Sequence, residues 1–491
     1  LYTGYCFTVL LSLRAGRVVT SMFFLVLAVG LRVVIATAVR RGSQTALALA
    51  VALVLVLPCW MYRDFGGVRV DVRQAIGLVA ITACLLDPRV QLGGRIVLCD
   101  VLVVALAAAN LTSEMLNDVV TVTMAANIMM IWLVPYTIGR LLSLDTEGMR
   151  RAVPWIAKGV AILALLTVVE SVTRVNIIHI IAGHAGSLQG NTDIRWGMRR
   201  AEGTLTHPIF FGLLLVMTLP WTIEAARWAR AKMAPDWWRW MPWITALGTF
   251  FTMSRGPQLG VLGTAAVVTW FRSRAWRPII TCAAVGAVVV AIVGQNAIID
   301  VLHAWSGEND EQQIEIRGEL HAYSGTTHRT LQFLVFREAV ENTGWFGYGS
   351  TPLMAGKNLL PFVEEHLRQR FSSIDNHYLE YTLRCGFAGI GLFLAVGLTS
   401  VAYLVGPAFK LQDESSWFAA ALVGSQLMVT ILLASVWFPT DFSFVWLLNA
   451  GMAASLRSAT LGSRAASSTP RRVQPLPRHL SPGHPTWAPN T

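Results

Sequence analysis

Apolar residues occur along this chain in long unbroken stretches separated by short polar or basic turns, without the spacing of an amphipathic surface helix. Stretches of roughly 17 to 25 residues match the hydrocarbon thickness that one helix must cross. The pattern predicts spans near 20–39, 44–61, 72–87, 95–111, 119–139 and 153–172. After a polar gap come 204–223, 241–253, 257–271 and 278–295, and after a much longer gap 377–407, 416–437 and 441–456. Residues 1–13 are apolar but short, an extra span or an interfacial segment. The expected fold is all-α: a polytopic transmembrane helical bundle of about 12 spans, with a large outer loop forming a small helical cap. The divisions expected are N-terminal helices (1–172), central helices with a first outer loop (173–295), the long loop (296–376), C-terminal helices (377–457) and a basic Pro/Ser-rich tail (458–491) expected to be disordered.

Composition sharpens this. The chain is 54% hydrophobic and only 14% charged, whereas soluble domains carry about a quarter charged residues. Its net charge of +11 does not point to nucleic acid, because the cations fall in short inter-helix loops and act as orientation signals. Arg40 and Arg41, Arg89 and Arg95, and Arg140, Arg150 and Arg151 occupy every second loop, followed by Arg227, Arg230, Lys232 and Arg239 and by Arg272, Arg274, Arg277 and Lys410. That face is expected to be cytoplasmic, with the tail on it. Arg63, Arg69 and Arg73 fit badly, since they fall outside. The cysteines Cys6, Cys59, Cys84, Cys99, Cys282 and Cys385 show no metal or redox spacing and are expected in the core. The first apolar run lacks the small-residue cleavage site of a secretory signal, and a start at Leu1 is taken as an incomplete N-terminus.

Three polar stretches remain on the outer face: 173–203, the turn 254–256, and 296–376, which holds 11 of the 28 acidic residues. Arginines on this face oppose the usual loop bias. Arg199 and Arg200 ("MRRAEGTLTHP"), Arg255 ("TMSRGPQLG") and Arg329 ("GTTHRTLQF") therefore stand out. Guanidinium forks match phosphate oxygens, which makes an anion clamp one reading; pairing with the acidic loop or with lipid headgroups is the other. Arg255 lies at a tight turn between two apolar runs, either snorkelling or facing a polar cavity.

Proton-handling groups cluster where the long loop meets the next apolar run. Asp375, Asn376 and His377 could supply a general base, or Asp and Asn could cap the helix that follows. His179 and His184 stand five apart, a spacing that turns them away from each other on a helix, and no third ligand accompanies them, so no metal site is expected. Trp345 and Tyr348, in "WFGYG", suit an aromatic platform for sugar stacking or interfacial anchoring, while Trp237, Trp238 and Trp240 suit an interfacial belt.

Taken in order, "RRAEGTLTHPIFFGLL", "MSRGPQLGVL", "HRTLQFLVFREAVENTGWFGYGS" and "IDNHYLEYTLRCGFAGIGLFL" resemble the O-antigen ligase and polymerase superfamily of bacterial inner-membrane glycosyltransferases (Wzy/WaaL-like) over about residues 195 to 400. The resemblance implies transfer of a glycan from an undecaprenyl-diphosphate-linked oligosaccharide to a glycan acceptor at the periplasmic face, inverting and without metal or other cofactor. Arg199 or Arg200, Arg255 and Arg329 would hold the diphosphate. Asp375 or His377 would be the base, and His207, Trp345, Tyr348, Asn376 and Tyr378 would contact acceptor or sugar. Membrane lipid and polysaccharide export or chain-length proteins are the further partners implied. Ligases of the family commonly read His-Asn-x-x-Leu at the loop exit, where this chain has Asp375-Asn376-His377-Tyr378-Leu379. The substitution favours the polymerase or exopolysaccharide branch over a ligase acting on lipid A-core. A flippase or transporter, expected to show paired repeats and charges within its spans, and a non-catalytic export scaffold are the rivals from other classes.

Overall fold

The computed structural model describes residues 2–90, 95–117, 121–142, 144–181, 194–293, 312–323, 327–350, 362–371, 373–410, 416–438 and 440–468. Each apolar run is a helix there. In order they are α1 (Tyr2–Arg41), α2 (Ser43–Val56), α3 (Val72–Leu86), α4 (Leu98–Leu116), α5 (Val122–Leu141), α6 (Thr146–Thr173), the short α7 (Ile177–Ile181), α8 (Pro208–Arg230), α9 (Met241–Phe251), α10 (Arg255–Arg272) and α11 (Arg277–Val293). After the long loop's short helices α12 (His328–Val335), α13 (Arg337–Glu341) and α14 (Glu365–Arg370) come α15 (His377–Phe409), α16 (Ser416–Leu432) and α17 (Thr440–Ser468). Among the described residues, 6 helices are long and apolar enough to cross a membrane: Thr20–Arg41, Leu98–Leu116, Val122–Leu141, Glu147–Thr173, Pro208–Arg230 and His377–Phe409. Four shorter apolar helices accompany them, Ser43–Val56, Val72–Leu86, Arg277–Val290 and Ser416–Leu432. The chain is a mostly helical membrane protein.

Helix α8 is the hub and α1 the rim, since 89% of the apolar window of α8 is buried against 17% for α1. Packing is tight where small residues face each other: a Cβ on Gly139 of α5 would overlap the backbone of Leu448, and one on Gly451 of α17 that of Tyr136. Helix α15 packs on α17 through Phe393 and Trp446, stacked at 4.8 Å.

Strands modify the all-α expectation. Among the described residues three antiparallel hairpins form: β1 (Tyr62–Phe65) with β2 (Val68–Asp71), β3 (Ile194–Arg195) with β4 (Met198–Arg199), and β5 (Gln312–Ile316) with β6 (Glu319–Tyr323). Each closes on two residues with positive φ, namely Gly66–Gly67, Trp196–Gly197 and Arg317–Gly318, the twist that a two-residue hairpin requires. The first hairpin also accounts for the misfit arginines, because each is engaged locally. Arg63 donates to Thr20 Oγ1 at 2.6 Å, Arg69 lies 3.3 Å over the Tyr62 ring, and buried Arg73 pairs with Asp71 at 2.6 Å.

The long loop builds its own hydrophobic core. Ile314 and Ile316 from the inward face of β5 meet Leu331, Val335 and Phe336 of α12 and its end, Leu367 and Phe371 beside α14, and Leu379 and Leu383 of α15. The expected small helical cap is thus mixed, a hairpin with short helices, because Gln312–Ile316 alternates in burial as a half-buried strand does. The C-terminal helix also runs to Ser468, beyond the expected start of the tail at 458; the tail from 469 lies outside the described residues.

Helix α15 is broken at Gly386, whose φ of 67° and ψ of −169° are non-helical. The backbone groups freed there are taken by the "TGWFGYG" segment. Tyr348 N–H donates to Leu383 O (2.8 Å) and Gly349 N–H to Arg384 O (3.0 Å), while Phe387 N–H donates to Gly344 O (3.2 Å) and Ala388 N–H to Trp345 O (3.0 Å). A broken helix at membrane depth survives only where other protein groups satisfy it in this way. A Cβ at Gly386 would overlap Trp345, and one at Gly347 would overlap Arg384.

Candidate functional site

The candidate residues collect at the end of the bundle that carries the cap. Asn376 caps α15: its Oδ1 accepts from Leu379 N–H at 3.0 Å, and its Nδ2 donates to Ala434 O at 2.7 Å. The next residue, His377, donates its backbone N–H to Leu433 O at 3.0 Å. The turn after α16 is therefore clamped to the start of α15. Its imidazole is buried between Tyr381, Phe393 and Phe438, with ring centroids 4.7 to 5.0 Å away. Among the described residues the group that approaches its ring nitrogens is the Glu380 carboxylate, with Nδ1 3.5 Å from Glu380 Oε2. Asp375 differs: its side chain is 37% exposed and faces Arg329 Nε at 3.7 Å.

Arg329 opens α12, beside His328. That imidazole stacks on Phe371 at 4.8 Å and lies 3.0 Å from Gln332 Nε2 and 3.3 Å from the Tyr323 hydroxyl. Burial pushes the His328 pKa below its usual value, against an upward pull from the Asp375 carboxylate. Gln332 also donates to Ser373 O at 2.8 Å, which ties α12 to the residues just before Asp375.

The other arginines arrive on the hairpin β3–β4 and on the α9–α10 turn. Buried Arg200 donates through Nη2 to Ser254 Oγ at 3.1 Å, and Ala201 N–H donates to Phe251 O at 3.3 Å. Met253, with φ of 50°, makes the sharp bend that lets Ser254 and Arg255 begin α10; a non-glycine residue in that region is strained. Arg199 turns the other way. It lies 3.8 Å from both Glu170 and Glu202 and donates to Arg174 O at 3.3 Å. Glu170 in turn accepts from Gly203 N–H at 2.9 Å. Arg200 is thereby brought to the α9–α10 turn, and Arg199 is engaged in holding the 199–203 segment.

One short turn joins these parts. A Cβ on Gly256, next to Arg255, would stand 3.6 Å from Leu432, and the two carbonyls after Leu432 receive His377 and Asn376. His207 caps α8 through Nδ1, at 3.2 Å from Ile209 N, and lies 5.1 Å from the Phe210 ring, which packs edge-on against Trp437 at 5.7 Å. Residues 432–437 thus border the arginine turn, the cap junction and the start of α8.

Residues 240–394 match the O-antigen ligase family model. The matched part of the chain takes in Arg255, Arg329, Trp345, Tyr348 and Asp375 to Tyr378, while Arg199, Arg200 and His207 precede it. No match to a curated protein was found. This match agrees with the resemblance to the O-antigen ligase/polymerase superfamily read from the motifs.

Within the segment shared with the O-antigen ligases, the remaining candidates divide. Trp345 is 72% exposed beside the helix break and free to stack on a ligand. Tyr348 donates its hydroxyl to Ala339 O at 2.9 Å and Tyr378 to Thr430 O, so both hydroxyls are occupied by backbone. His179 is buried against Trp60 at a ring distance of 4.2 Å, and His184 lies outside the described residues.

Sequence reasoning missed a buried polar network that joins α4 to the segment matching the O-antigen ligase model. Glu114, at the end of α4, takes Arg384 of α15 at 3.2 Å on one oxygen and the Ser350 amide (3.0 Å) and hydroxyl (2.9 Å) on the other. One turn earlier in α4, Asn110 donates to Leu106 O and to the Tyr381 hydroxyl. The signal was present: Glu114 and Arg384 are ionisable residues beside and inside apolar runs, where a charge needs a partner.

Proposed function

We propose that this chain is an O-antigen ligase-like glycosyltransferase. It transfers undecaprenyl-diphosphate-linked glycan at the periplasmic face of the bacterial inner membrane, in the polymerase branch. The observation that carries the reading is the grouping about residues 432–434. Arg200 reaches Ser254 beside Arg255, Asn376 and His377 reach Ala434 and Leu433, and Arg329 faces Asp375 next to them.

In this reading Asp375 is the base. It is accessible, whereas His377 is enclosed by aromatic rings and serves to hold the start of α15. The carboxylate takes the proton of the acceptor hydroxyl as its oxygen attacks the anomeric carbon; the bond from that carbon to the diphosphate oxygen breaks, and the configuration inverts. Negative charge then collects on the departing lipid diphosphate. Arg255 and Arg200 from one side and Arg329 from the other stabilise it, the type of electrostatic assistance that contributes most when it is pre-positioned. Trp345 offers a stacking face to a sugar near the membrane surface. The carrier keeps its sugar diphosphate at the bilayer surface, which is why the base belongs at the junction of cap and bundle. Asp375 in place of the ligases' histidine supports the polymerase branch.

The test is transfer by the purified full chain from a lipid-linked oligosaccharide donor, read as a ladder on a carbohydrate gel. A ladder of lengthened glycan supports polymerisation. Transfer of one finished glycan onto a different acceptor lipid supports the ligase instead, and no transfer with folded protein rejects the enzyme.

A further inference from the structure

At the end of the bundle opposite the cap, a cavity of about 1750 Å³ opens between the ends of α1, α3 and α5 and the starts of α2, α4 and α6. Helix α4 separates the two regions: it begins at the cavity and ends at Glu114 beneath the cap, about 28 Å away at the usual rise per residue. Among the described residues six arginines line the cavity, Arg40, Arg41, Arg89, Arg95, Arg140 and Arg151, against four carboxylates.

The carboxylates are already committed. Asp100 accepts from Arg140 at 3.0 Å, from the Tyr136 hydroxyl at 2.5 Å and from Val97 N–H at 2.8 Å. Glu147 pairs with Arg151, Asp145 caps α6 through Gly148 N–H, and Asp87 accepts from Ser43 Oγ and from the Arg89 amide. Among the described residues Arg40, Arg41 and Arg95 form no ion pair with a carboxylate, and Arg89 meets Asp87 through its backbone N–H and through the attraction of the two charges. With six guanidinium groups against four carboxylates, the described lining of the cavity keeps an excess of positive charge.

Its other lining selects the ligand. Val39 on α1, Ile96 just before α4, and Val101 and Val104 on α4 line the same cavity and are 56 to 82% exposed; both helices are of membrane-spanning length. Cations at a helix end with outward aliphatic side chains one to two turns deeper match a molecule that is anionic at one end and hydrocarbon at the other. The volume also exceeds the roughly 300–1,000 Å³ usual for small soluble ligands.

We propose that this cavity binds the phosphate-bearing headgroup of an anionic membrane phospholipid, with its acyl chains along α1 and α4. Basic pockets between helices hold such headgroups elsewhere. The site is separate from the transfer reaction and does not depend on it.

The experiment uses the full chain, purified in detergent and stripped of lipid. Binding of phosphatidylglycerol, of zwitterionic phosphatidylethanolamine and of inorganic phosphate is measured by native mass spectrometry and by thermal protection. The expected result is a preference for phosphatidylglycerol over phosphatidylethanolamine of at least about tenfold, reduced about tenfold or more in Arg40→Gln/Arg41→Gln/Arg89→Gln/Arg95→Gln. Arg274→Gln/Lys410→Gln, on cations outside the cavity, should keep the wild-type preference. If the quadruple variant does not fold, the exposed pair Arg40→Gln/Arg41→Gln supplies the comparison. Equal retention of both lipids, or a preference unchanged by the cavity substitutions, overturns the site. Protection by inorganic phosphate matching that by phosphatidylglycerol overturns the lipid assignment in favour of a soluble anion.

Discussion

Arg329 and Asp375 face each other at 3.7 Å across the seam between the cap and the membrane helices, both partly open to solvent. An exposed pair of this kind contributes about 0–1 kcal/mol to stability. Conservation of the fold therefore gives no strong reason for it, whereas a reaction that needs a carboxylate beside a cation does. Asp375→Asn and Arg329→Ala should each leave the thermal midpoint within about 2 °C of wild type, and each should lower transfer by about a hundredfold or more. A large loss of stability in either would make the pair structural.

Gly386 and Gly391 lie five residues apart on α15 in different surroundings. Gly386 has positive φ against Trp345, while nothing lies within 4 Å of a Cβ at Gly391. Gly386→Ala should destabilise by about 2 kcal/mol or more and expose residues 343–349 to protease, and Gly391→Ala should be neutral or slightly stabilising. Limited proteolysis followed by mass spectrometry checks both.

Apolar runs located every bundle helix, because burial in lipid or protein acts on each segment locally. Gly66–Gly67 between short alternating segments signals the β1–β2 hairpin, whereas the basic residues of that loop register in the sequence only as an orientation anomaly. Gly386 was hidden inside a run read as one span, since a helix break needs partners and its partners are distant in sequence. The same holds for Arg384 and Glu114, 270 residues apart, and for the 432–437 turn, which the run 416–437 concealed. Asp375, Asn376 and the arginines were legible as chemistry. Their division between cap, clamp and buried ion pair was not, because it depends on which neighbour each side chain meets.

Glu114 is buried and holds three donors from α15 and the cap segment. Removing one partner of such a pair typically costs about 3–5 kcal/mol, since the other charge is left buried alone. Glu114→Ala should show that loss, and the double variant Glu114→Ala/Arg384→Met should recover part of it. Urea or thermal unfolding of the detergent-solubilised protein, run as a double-mutant cycle, gives the coupling.

The cap should loosen in acid. His328 has its pKa lowered by burial, so its neutral form is favoured in the folded cap and its charged form in the open one. The stability it contributes is complete above the ordinary value of 6.5 and is lost as pH falls below it toward the folded pKa. Arg329, Asp375, Tyr323 and Gln332 surround the ring and stay in place in the test. Hydrogen exchange of residues 327–341 should quicken between about pH 6.5 and 5 in the wild type. It should do so less in His328→Gln; an identical pH response in the two proteins would assign it to another group.

The most direct test of a diphosphate clamp beside a base is single-turnover transfer from lipid-linked donor by purified wild type, Arg255→Ala and Asp375→Asn, each shown to be folded. The expected result is loss of about two to three orders of magnitude in rate for both variants, with release of free lipid diphosphate falling in step. Transfer at the wild-type rate by either variant would contradict the role assigned to that residue, and by both would leave the site without its chemistry.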